Sequence, residues 1–369
     1  MNRGSIAEID LSAIAQNLQF VKRVANNRPV IAVVKADAYG HGAVAVSKKL
    51  LQCGVSCLAV AFGSEARELR ESGIDAPILV LFDHGEIRDY FDYGFVPVIS
   101  GMDTARQISR EAENRGTAMK VHVKIDTGMG RLGFQVHEIT DNIMKIFQMP
   151  GLEVTGIMSH FSEADLANGD YAMIQIERFN AIRAYIEGKT GKPLLSHIAN
   201  SAAVMTLGQA CFDAVRPGLM LYGYSPFPGH AHSDLIPAMT VKARIIDIRD
   251  VPEGTPISYG RTFVTKRRSR IGVLAIGYAD GFSRHFSNNA RVLVKGRAAP
   301  VAGRVCMDLT MIDLTDVPGV ERNDEAVIVG RQGDHAITAD ELASRAGTIA
   351  YEILTSLGSK ANRVYVKDH

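Results

Sequence analysis

The chain has 369 residues, which is enough for two or three domains of about 150 residues unless one of them is a large barrel. Its 41 Lys and Arg residues against 40 Asp and Glu residues give a net charge of +1, so the chain lacks the basic surplus typical of nucleic-acid-binding proteins. Hydrophobic residues make up 46% and charged residues 22%, the values of an ordinary folded protein rather than a disordered one.

Targeting and redox features of the sequence predict a reduced, cytoplasmic protein. Glu8 and Asp10 interrupt the segment where a signal peptide would need an apolar core, and no apolar run approaches the ~18 residues of a membrane span. The cysteines are too few and too scattered for a disulfide framework, and no His pair flanks them at zinc-site spacing. They are Cys53, Cys57, Cys211 and Cys306. We therefore expect no membrane segment and no metal site.

Short apolar runs alternate with helix-like stretches through the first 235 residues. A first helix is predicted after Asp10, its N-cap, and a second over Gly42–Cys53. The runs have the composition of parallel strands buried on both faces. They are Val30–Val34, Cys57–Ala61, Pro77–Phe82, Phe95–Ile99, Lys120–Ile125, Val154–Met158, Leu195–Ala199 and Phe212–Val215. Eight such units predict an α/β fold, a (β/α)8 TIM-type barrel over residues 1–235. An open doubly wound sheet is the alternative, because counting strands does not establish closure.

The pattern changes after the proline-containing segment Pro226–Pro237, which we interpret as a linker. Residues 236–369 contain strand-like runs without long helices between them, and they predict a mainly β C-terminal domain. The runs are Val241–Ile248, Ile271–Ile276, Arg291–Val294, Ala299–Val305, Leu309–Leu314 and Ala326–Val329. Two late helices are predicted, one capped by Thr338 with Glu341 completing a capping box, and one over Ile349–Leu357. Residues 1–10 are a further segment that can pair with this domain.

Polar residues follow several of the predicted barrel strands, where barrel enzymes place their reactive groups. Lys35 follows the first strand, Lys124 lies in the fifth with Arg131 beyond it, and His160 follows the sixth; Ser201 follows the seventh and Arg216 the eighth. Each of these residues could instead have an ordinary structural role. A lysine can be solvated, an arginine can form a surface ion pair, a histidine can pack in the core, and a serine can cap a helix. Because all of them lie at the same rim of the predicted barrel, a functional site is favoured over these separate structural roles.

Motifs along nearly the whole chain resemble those of the alanine racemases. The motif residues, in order, are Lys35 in VVKADAYGHG, Arg131 in GMGRLG, His160 in SHF, Ser201 in HIANSAA, Arg216 in RPGLMLYG, Tyr259 in SYGRTF, Tyr278 in GYADG and Met307 in GRVCMDL. The family's barrel followed by a β domain agrees with the two-part pattern above.

The resemblance implies pyridoxal 5'-phosphate bound to Lys35 as a Schiff base. It places residues around the cofactor phosphate, namely Tyr39, Ser201, Gly218, Leu219 and Tyr351. It places His160 against the ring, Arg131 at the phenolic oxygen and Arg216 at the pyridine nitrogen. It also implies substrate contacts from Arg131 and Met307, and an entrance formed by Tyr278 and Tyr351. Some relatives carry a carbamylated lysine at the position of Lys124; an unmodified lysine is the alternative.

Racemisation removes a proton from one face of Cα and returns one to the other, so two acid/base groups are the simplest arrangement. The resemblance assigns Lys35 to the D enantiomer and Tyr259 to the L enantiomer. Tyr259 and Met307 would come from the C-terminal domain of the partner subunit in a head-to-tail homodimer. The implied function is interconversion of L- and D-alanine, with D-alanine supplied for peptidoglycan.

Other functions remain to be separated. A single-barrel protein that carries the cofactor without turnover would lack the β domain. A decarboxylase of this fold would need a larger substrate pocket. A broad-specificity racemase acting on serine or basic amino acids is the alternative that resembles this chain most closely of the three. Residues 361–363 also depart from the valine-proline-arginine run expected of the family, which affects the expected loop geometry there.

Overall fold

The structure, a computed structural model, describes residues 4–82, 85–138, 142–166, 169–227 and 232–366. It contains two compact units. The barrel unit comprises Ala15–Ala36 and Ala43–Leu235, and the β unit comprises Met1–Ile14, Asp37–Gly42 and Ile236–His369. The predicted linker over 226–237 includes residues 228–231, which lie outside the described residues.

Seven strands of the barrel unit run parallel, each paired with the next along the chain. They are Ile31–Val33, Cys57–Val60, Ile78–Val80, Val96–Ile99, Met119–Asp126, Leu152–Met158 and Leu195–His197. A two-residue strand, Phe134–Gln135, pairs with the end of Met119–Asp126. The first four strands are almost wholly buried, because helices cover parallel strands on the outside while side chains fill the barrel inside.

An extended segment at residues 213–217 takes the eighth position and closes the barrel. The Asp213 amide donates to the Ser196 carbonyl at 2.9 Å on one side, and the Ile31 amide donates to the Val215 carbonyl at 2.9 Å on the other. The predicted barrel is therefore confirmed, with the run Phe212–Val215 present as a bridging segment rather than a regular strand. The open-sheet alternative is wrong, since an open sheet would leave these groups unpaired.

Helices follow the strands of the barrel unit. They are Ala43–Gln52, Gly63–Glu71, Ile87–Asp92, Met102–Arg115, Met144–Ile146, Asp170–Thr190 and Ser201–Thr206, with 3-10 turns at Val136–Glu138, Gly208–Ala210 and Leu219–Tyr222. The first helix of the chain, Leu11–Val24, starts in the β unit and continues into the barrel unit. Its predicted cap is confirmed, because the Asp10 carboxylate accepts the amides of Ser12 and Ala13 at 2.8 and 3.0 Å.

The β unit is organised around one nine-stranded sheet. Its path runs Arg297–Pro300, Arg291–Val294, Glu325–Gln332, Met239–Val251, Ser5–Asp10 and Asn362–Val366. Ser269–Leu274 joins Met239–Val251 and pairs with Thr310–Asp313, and His335–Ile337 pairs with Glu325–Gln332. Pro256–Ile257 and Phe263–Val264 form a separate ribbon. The N-terminal strand Ser5–Asp10 lies between partners from the far end of the chain.

Two helices, Ala339–Ala346 and Ala350–Gly358, and short 3-10 turns at Tyr259–Arg261, Tyr278–Asp280 and Arg284–Phe286 complete the β unit. Thr338 caps the first helix through the Glu341 amide at 3.1 Å, as predicted. The Glu341 carboxylate, however, pairs with Arg291 and Arg345, so the reciprocal half of the predicted capping box is replaced by ion pairs. The predicted strand Ala299–Val305 is too long, since the strand ends at Pro300. Within the described residues, no helix is long and apolar enough to span a membrane.

Candidate active site

Three cationic side chains surround one aromatic ring at the carboxyl ends of the barrel strands. The ring centroid of Phe82 lies 5.3 Å from Lys35 Nζ, 4.9 Å from Lys124 Nζ and 5.4 Å from Arg131 Cζ. Each distance is within the range of a cation–π contact. Lys35 follows the strand Ile31–Val33, and Lys124 lies near the end of Met119–Asp126. The cluster concentrates positive charge, so it favours an anionic group.

The surroundings of the two lysines lower their pKa values. Burial, with a further contribution from the charge of Arg131, lowers the pKa of Lys35, although Glu65 opposes the change. Burial and the charges of Arg131 and Arg216 lower the pKa of Lys124 to about 8. A lysine whose pKa is lowered is more often a neutral amine near neutral pH, which is the form that accepts protons or bonds a carbonyl carbon.

Arg216 is buried at the eighth position of the barrel, with 4% of its surface exposed. Its guanidinium donates to the carbonyls of Ser159 and His197 at 2.6 and 2.7 Å, and His160 Nδ1 lies 3.5 Å away. Burial lowers the pKa of Arg216 to about 9, so the group still carries its charge at neutral pH. Burial and the charge of Arg216 hold the pKa of His160 well below its usual value.

Ser201 lies beside the turn that begins at Gly218. The Ser201 hydroxyl oxygen accepts the amide of Gly218 at 3.0 Å and that of Met220 at 3.4 Å. Asn200, rather than Ser201, caps the helix Ser201–Thr206 by accepting the Ala203 amide. The structure therefore brings Ser201, Gly218 and Leu219 together in a polar corner made of a hydroxyl and backbone amides, which are groups that bind phosphate oxygens.

Tyr39 lies in a turn of left-handed helix within the β unit. Residues 36–39 all have φ between 51° and 55°, a conformation that L-residues rarely adopt consecutively. The Arg363 guanidinium holds this turn by pairing with the Asp37 carboxylate and reaching the Gly40 carbonyl. The Tyr39 ring lies 5.9 Å from the Tyr351 ring. Burial and Tyr351 together raise the pKa of Tyr39, so its hydroxyl is a donor rather than a base.

Tyr259, Tyr278 and Met307 are exposed on the β unit, with 67%, 43% and 54% of their surfaces accessible. The Tyr278 amide donates to the Cys306 carbonyl at 3.0 Å and the Ala279 amide donates to the Met307 carbonyl at 3.0 Å, so these two segments are fixed to each other. Tyr259 begins a 3-10 turn preceded by Ser258, whose hydroxyl donates to the Arg304 carbonyl at 2.6 Å. Exposed aromatic and Met side chains of this kind are typical of protein interfaces.

Three residues of the barrel unit were not predicted from the sequence. The three cations lie around the Phe82 ring, while His197 contacts Arg216 and His122 contacts His197. A signal existed for His122, because a histidine inside the apolar strand KVHVKID needs a polar partner when it is buried. No local pattern indicates Phe82, because its role depends on three cations from distant parts of the chain.

Comparisons with known proteins agree across the whole chain. Residues 9–226 match the model of the alanine racemase N-terminal domain, and residues 238–365 match that of the alanine racemase C-terminal domain. An alanine racemase of Thermodesulfovibrio yellowstonii is 48% identical over 372 aligned positions, covering 100% of this chain and 99% of the relative. One of Halothermothrix orenii is 41% identical, covering 99% and 97%.

Solved structures give the same result. The crystal structure of alanine racemase from Streptomyces lavendulae matches with a TM-score of 0.94 at 35% identity, covering 100% of this chain and 98% of that chain. The Bacillus anthracis alanine racemase with bound L-Ala-P matches with a TM-score of 0.91 at 34% identity, covering 100% and 96%. The two matched domains, the closed barrel and the full-length relatives together lead to one conclusion: the chain belongs to the alanine racemase family.

Proposed function

We propose that the protein interconverts L-alanine and D-alanine with pyridoxal 5'-phosphate as its cofactor. The observation that carries this proposal is the amine of Lys35, which lies with Lys124 and Arg131 around the Phe82 ring and has a lowered pKa. Membership of the alanine racemase family, whose members use this cofactor, supports the choice of substrate and cofactor.

The chemical groups of the barrel unit fit the cofactor. Lys35 offers a primary amine for its aldehyde, Arg131 a cation for its phenolic oxygen, and Ser201 with the backbone of Gly218 and Leu219 a set of polar groups for its phosphate. Tyr39 and Tyr351 would contribute hydroxyl groups to the phosphate, and His160 would lie against the ring. When bound, the cofactor supplies an electron-withdrawing ring that makes the Cα–H bond of an attached amino acid more acidic.

Arg216 would act at the pyridine nitrogen. A carboxylate there would keep that nitrogen protonated, whereas a guanidinium donates a hydrogen bond and retains its own proton. Arg216 remains charged at neutral pH, since burial lowers its pKa only to about 9. Arg216 would thereby limit electron withdrawal into the ring, which favours return of a proton to Cα over other reactions.

Two side chains would move the proton. Lys35 acts on the face from which D-alanine loses its proton, and its lowered pKa helps it serve as a base near neutral pH. Tyr259 of the partner subunit acts on the opposite face. The exposure of Tyr259, at 67%, suits a residue that completes its site in a second copy of the chain.

The remaining predicted residues would bind the substrate. The backbone amide of Met307 of the partner subunit and the guanidinium of Arg131 would hold the alanine carboxylate. Tyr278 and Tyr351 would narrow the entrance and favour a small amino acid. The protein would act as a head-to-tail homodimer in the cytoplasm and supply D-alanine for peptidoglycan.

The proposal is tested by comparing the purified protein with its Lys35→Ala variant. The unmodified protein should absorb near ~420 nm, as the cofactor does when bonded to a lysine, and should racemise both enantiomers of alanine. Lys35→Ala should lose both properties, whereas Lys120→Ala, which alters an exposed lysine, should keep them. Retention of both properties by Lys35→Ala would show that the proposal is wrong. Initial rates with a panel of L-amino acids would separate an alanine racemase from a broad-specificity enzyme.

A further inference from the structure

A line of three buried side chains runs from Arg216 into the interior of the barrel. Arg216 Nη1 lies 2.6 Å from His197 Nδ1, and His197 Nε2 lies 2.8 Å from His122 Nδ1. His197 is fully buried and His122 is 7% exposed. The two histidines come from parallel strands on either side of the strand Leu152–Met158, since His122 lies in Met119–Asp126 and His197 ends Leu195–His197.

The chemistry of the guanidinium fixes the direction of every hydrogen bond in this line. A guanidinium can only donate, so His197 Nδ1 must accept and carries no proton. A neutral imidazole then carries its proton on Nε2, which donates to His122 Nδ1. His122 Nδ1 is therefore also without a proton, and His122 is protonated at Nε2. One cation thus determines the tautomer of two imidazoles.

Both histidines are held in the neutral form. Burial and the charge of Arg216 lower the pKa of His122 to about 4 and hold the pKa of His197 well below its usual value. If His197 took up a proton at Nδ1, it would lose the lone pair that accepts from Arg216 and would face a buried positive charge. The neutral tautomer is therefore required by geometry as well as by charge.

The other partners of the Arg216 guanidinium are neutral too. Within the described part of the chain, its hydrogen bonds go to the imidazoles of His197 and His160 and to the carbonyls of Ser159, His197 and Ile198, and none goes to a carboxylate. Buried arginines are ordinarily paired with a carboxylate, which cancels much of their charge. Neutral acceptors fix the position of Arg216 and leave its positive charge intact.

The absence of a side chain at Gly156 leaves space for the His122 ring. A Cβ atom at residue 156 would lie 2.7 Å from His122 Cε1 and 2.8 Å from His122 Nε2, closer than packed atoms approach. The backbone of the strand Leu152–Met158 therefore packs directly against the His122 ring, and the glycine is needed for the ring to occupy its place.

We infer that His197 and His122, both in the neutral Nε2-protonated tautomer, are positioning residues that hold Arg216 as an undiminished hydrogen-bond donor toward a ring nitrogen. The identity of that ring as the cofactor pyridine rests on the proposed function. The two histidines touch neither the cofactor nor the substrate in this assignment; they act through Arg216.

Nitrogen NMR of the intact protein tests the tautomers without reference to activity. The protein is labelled with ¹⁵N-histidine, and the signals are assigned by their loss in His122→Gln and His197→Gln. At pH 7, both residues should show a protonated Nε2 and an unprotonated Nδ1. An Nδ1-protonated or doubly protonated pattern at either residue would overturn the inference. If the tautomers are as expected but alanine is not racemised, the proposed function alone fails.

Two variants of His197 test the positioning role. His197→Leu removes the acceptor, and we expect kcat for racemisation to fall by about tenfold or more, the effect of losing a hydrogen bond to a charged group, while KM for alanine changes by less than about threefold. His197→Asn keeps an acceptor of similar reach and should restore much of kcat. The cofactor absorbance near ~420 nm should shift in the Leu variant and return toward its original position in the Asn variant. Equal losses in both variants, with an unchanged absorbance, would indicate a purely structural role and contradict the inference.

Discussion

Burial, together with the charge of Arg131, favours the neutral form of the Lys35 amine. An ion pair with a carboxylate would raise the pKa of a lysine and keep it protonated, whereas Arg131 and burial act on Lys35 in the opposite direction and exceed the effect of Glu65. The sequence indicates Lys35 through its place after an apolar strand. It does not indicate the lowered pKa, because Lys35 becomes buried and comes near Arg131 only in the folded barrel.

The Arg131→Gln variant should shift the pH dependence of racemisation. Removing this charge raises the pKa of Lys35 toward its ordinary value, because Arg131 lowers it in the native protein. In the complex with substrate, where Lys35 is a free amine, a smaller fraction of it is then neutral at a given pH, so the acidic limb of kcat should move to higher pH. The exposed Arg106→Gln, which breaks only a surface pair with Asp103, should leave the limb in place. An acidic limb that stays fixed or moves to lower pH in Arg131→Gln would be inconsistent with this account.

Lys124 should react with carbon dioxide. Its pKa of about 8 makes part of the population a neutral amine near pH 8, and a carbamate would place a negative charge among Lys35, Arg131 and Arg216. A ¹³C NMR spectrum recorded with ¹³C-bicarbonate should show a carbamate signal that is absent from Lys124→Ala. The signal should grow as pH rises from 7 to 8 at constant dissolved carbon dioxide. A spectrum without this signal would favour the unmodified lysine.

The left-handed turn at residues 36–39 is the element that departs furthest from ordinary backbone geometry. Four consecutive non-glycine residues have positive φ, and each costs about 1–2 kcal/mol in this conformation. The turn persists because Arg363 pairs with Asp37 and because Gly40 lies directly against the helix Ala350–Gly358. Residues 361–363 depart from the run expected of the family, yet Arg363 supplies this contact.

Gly40→Ala should therefore destabilise the protein more than a glycine replacement elsewhere. Gly40 has a φ of 82°, and an added Cβ would lie 2.6 Å from the Leu354 carbonyl oxygen. We expect a loss of about 3 kcal/mol in the free energy of unfolding, from backbone strain and overpacking together. Gly73→Ala is the matched control, since Gly73 has a φ of 83° and open space around it, and it should lose about 1 kcal/mol. Equal losses in denaturant titrations would show that the contact with Leu354 does not restrain the turn.

Clusters of apolar β-branched residues predicted strands without identifying their partners. The runs Val30–Val34 and Arg291–Val294 were recognisable because apolar β-branched residues cluster there, and both regions form strands. The strand Ser5–Asp10 lies in the segment 1–10 that was expected to be able to pair with the C-terminal domain, but its pattern did not identify its partners, Met239–Val251 and Asn362–Val366, which are more than 200 residues away. The left-handed turn could not be predicted either, since KADAY has the composition of an ordinary helix and its conformation depends on Arg363 and Gly40.

At the scale of the whole molecule, the proposed site residues are divided between the two units. Lys35, Arg131 and Arg216 belong to the barrel unit, whereas Tyr259 and Met307 belong to the β unit and are exposed there. The dimer proposed here assigns each site a barrel from one subunit and Tyr259 from the other. The family resemblance predicted these residues, but no pattern in a single chain could indicate that two copies share a site.

Mixing two inactive variants tests this assignment. Lys35→Ala and Tyr259→Phe should each have little activity alone. If Tyr259 acts across the dimer, a heterodimer of the two contains one doubly altered site and one unaltered site. Unfolding and refolding an equal mixture should therefore restore about a quarter of native activity, because half of the dimers are mixed and each has one intact site of two. A mixture no more active than its components would show that Tyr259 acts within its own subunit or not at all.

The central claim is that Lys35 and Tyr259 serve opposite faces of Cα, and hydrogen exchange in deuterated water tests it most directly. The protein should exchange the α-hydrogen of both alanine enantiomers. Tyr259→Phe should reduce racemisation by about a hundredfold or more, yet still exchange the α-hydrogen of D-alanine through Lys35 while leaving that of L-alanine in place. Exchange of both enantiomers at equal rates in Tyr259→Phe would contradict the assignment of two bases to two faces.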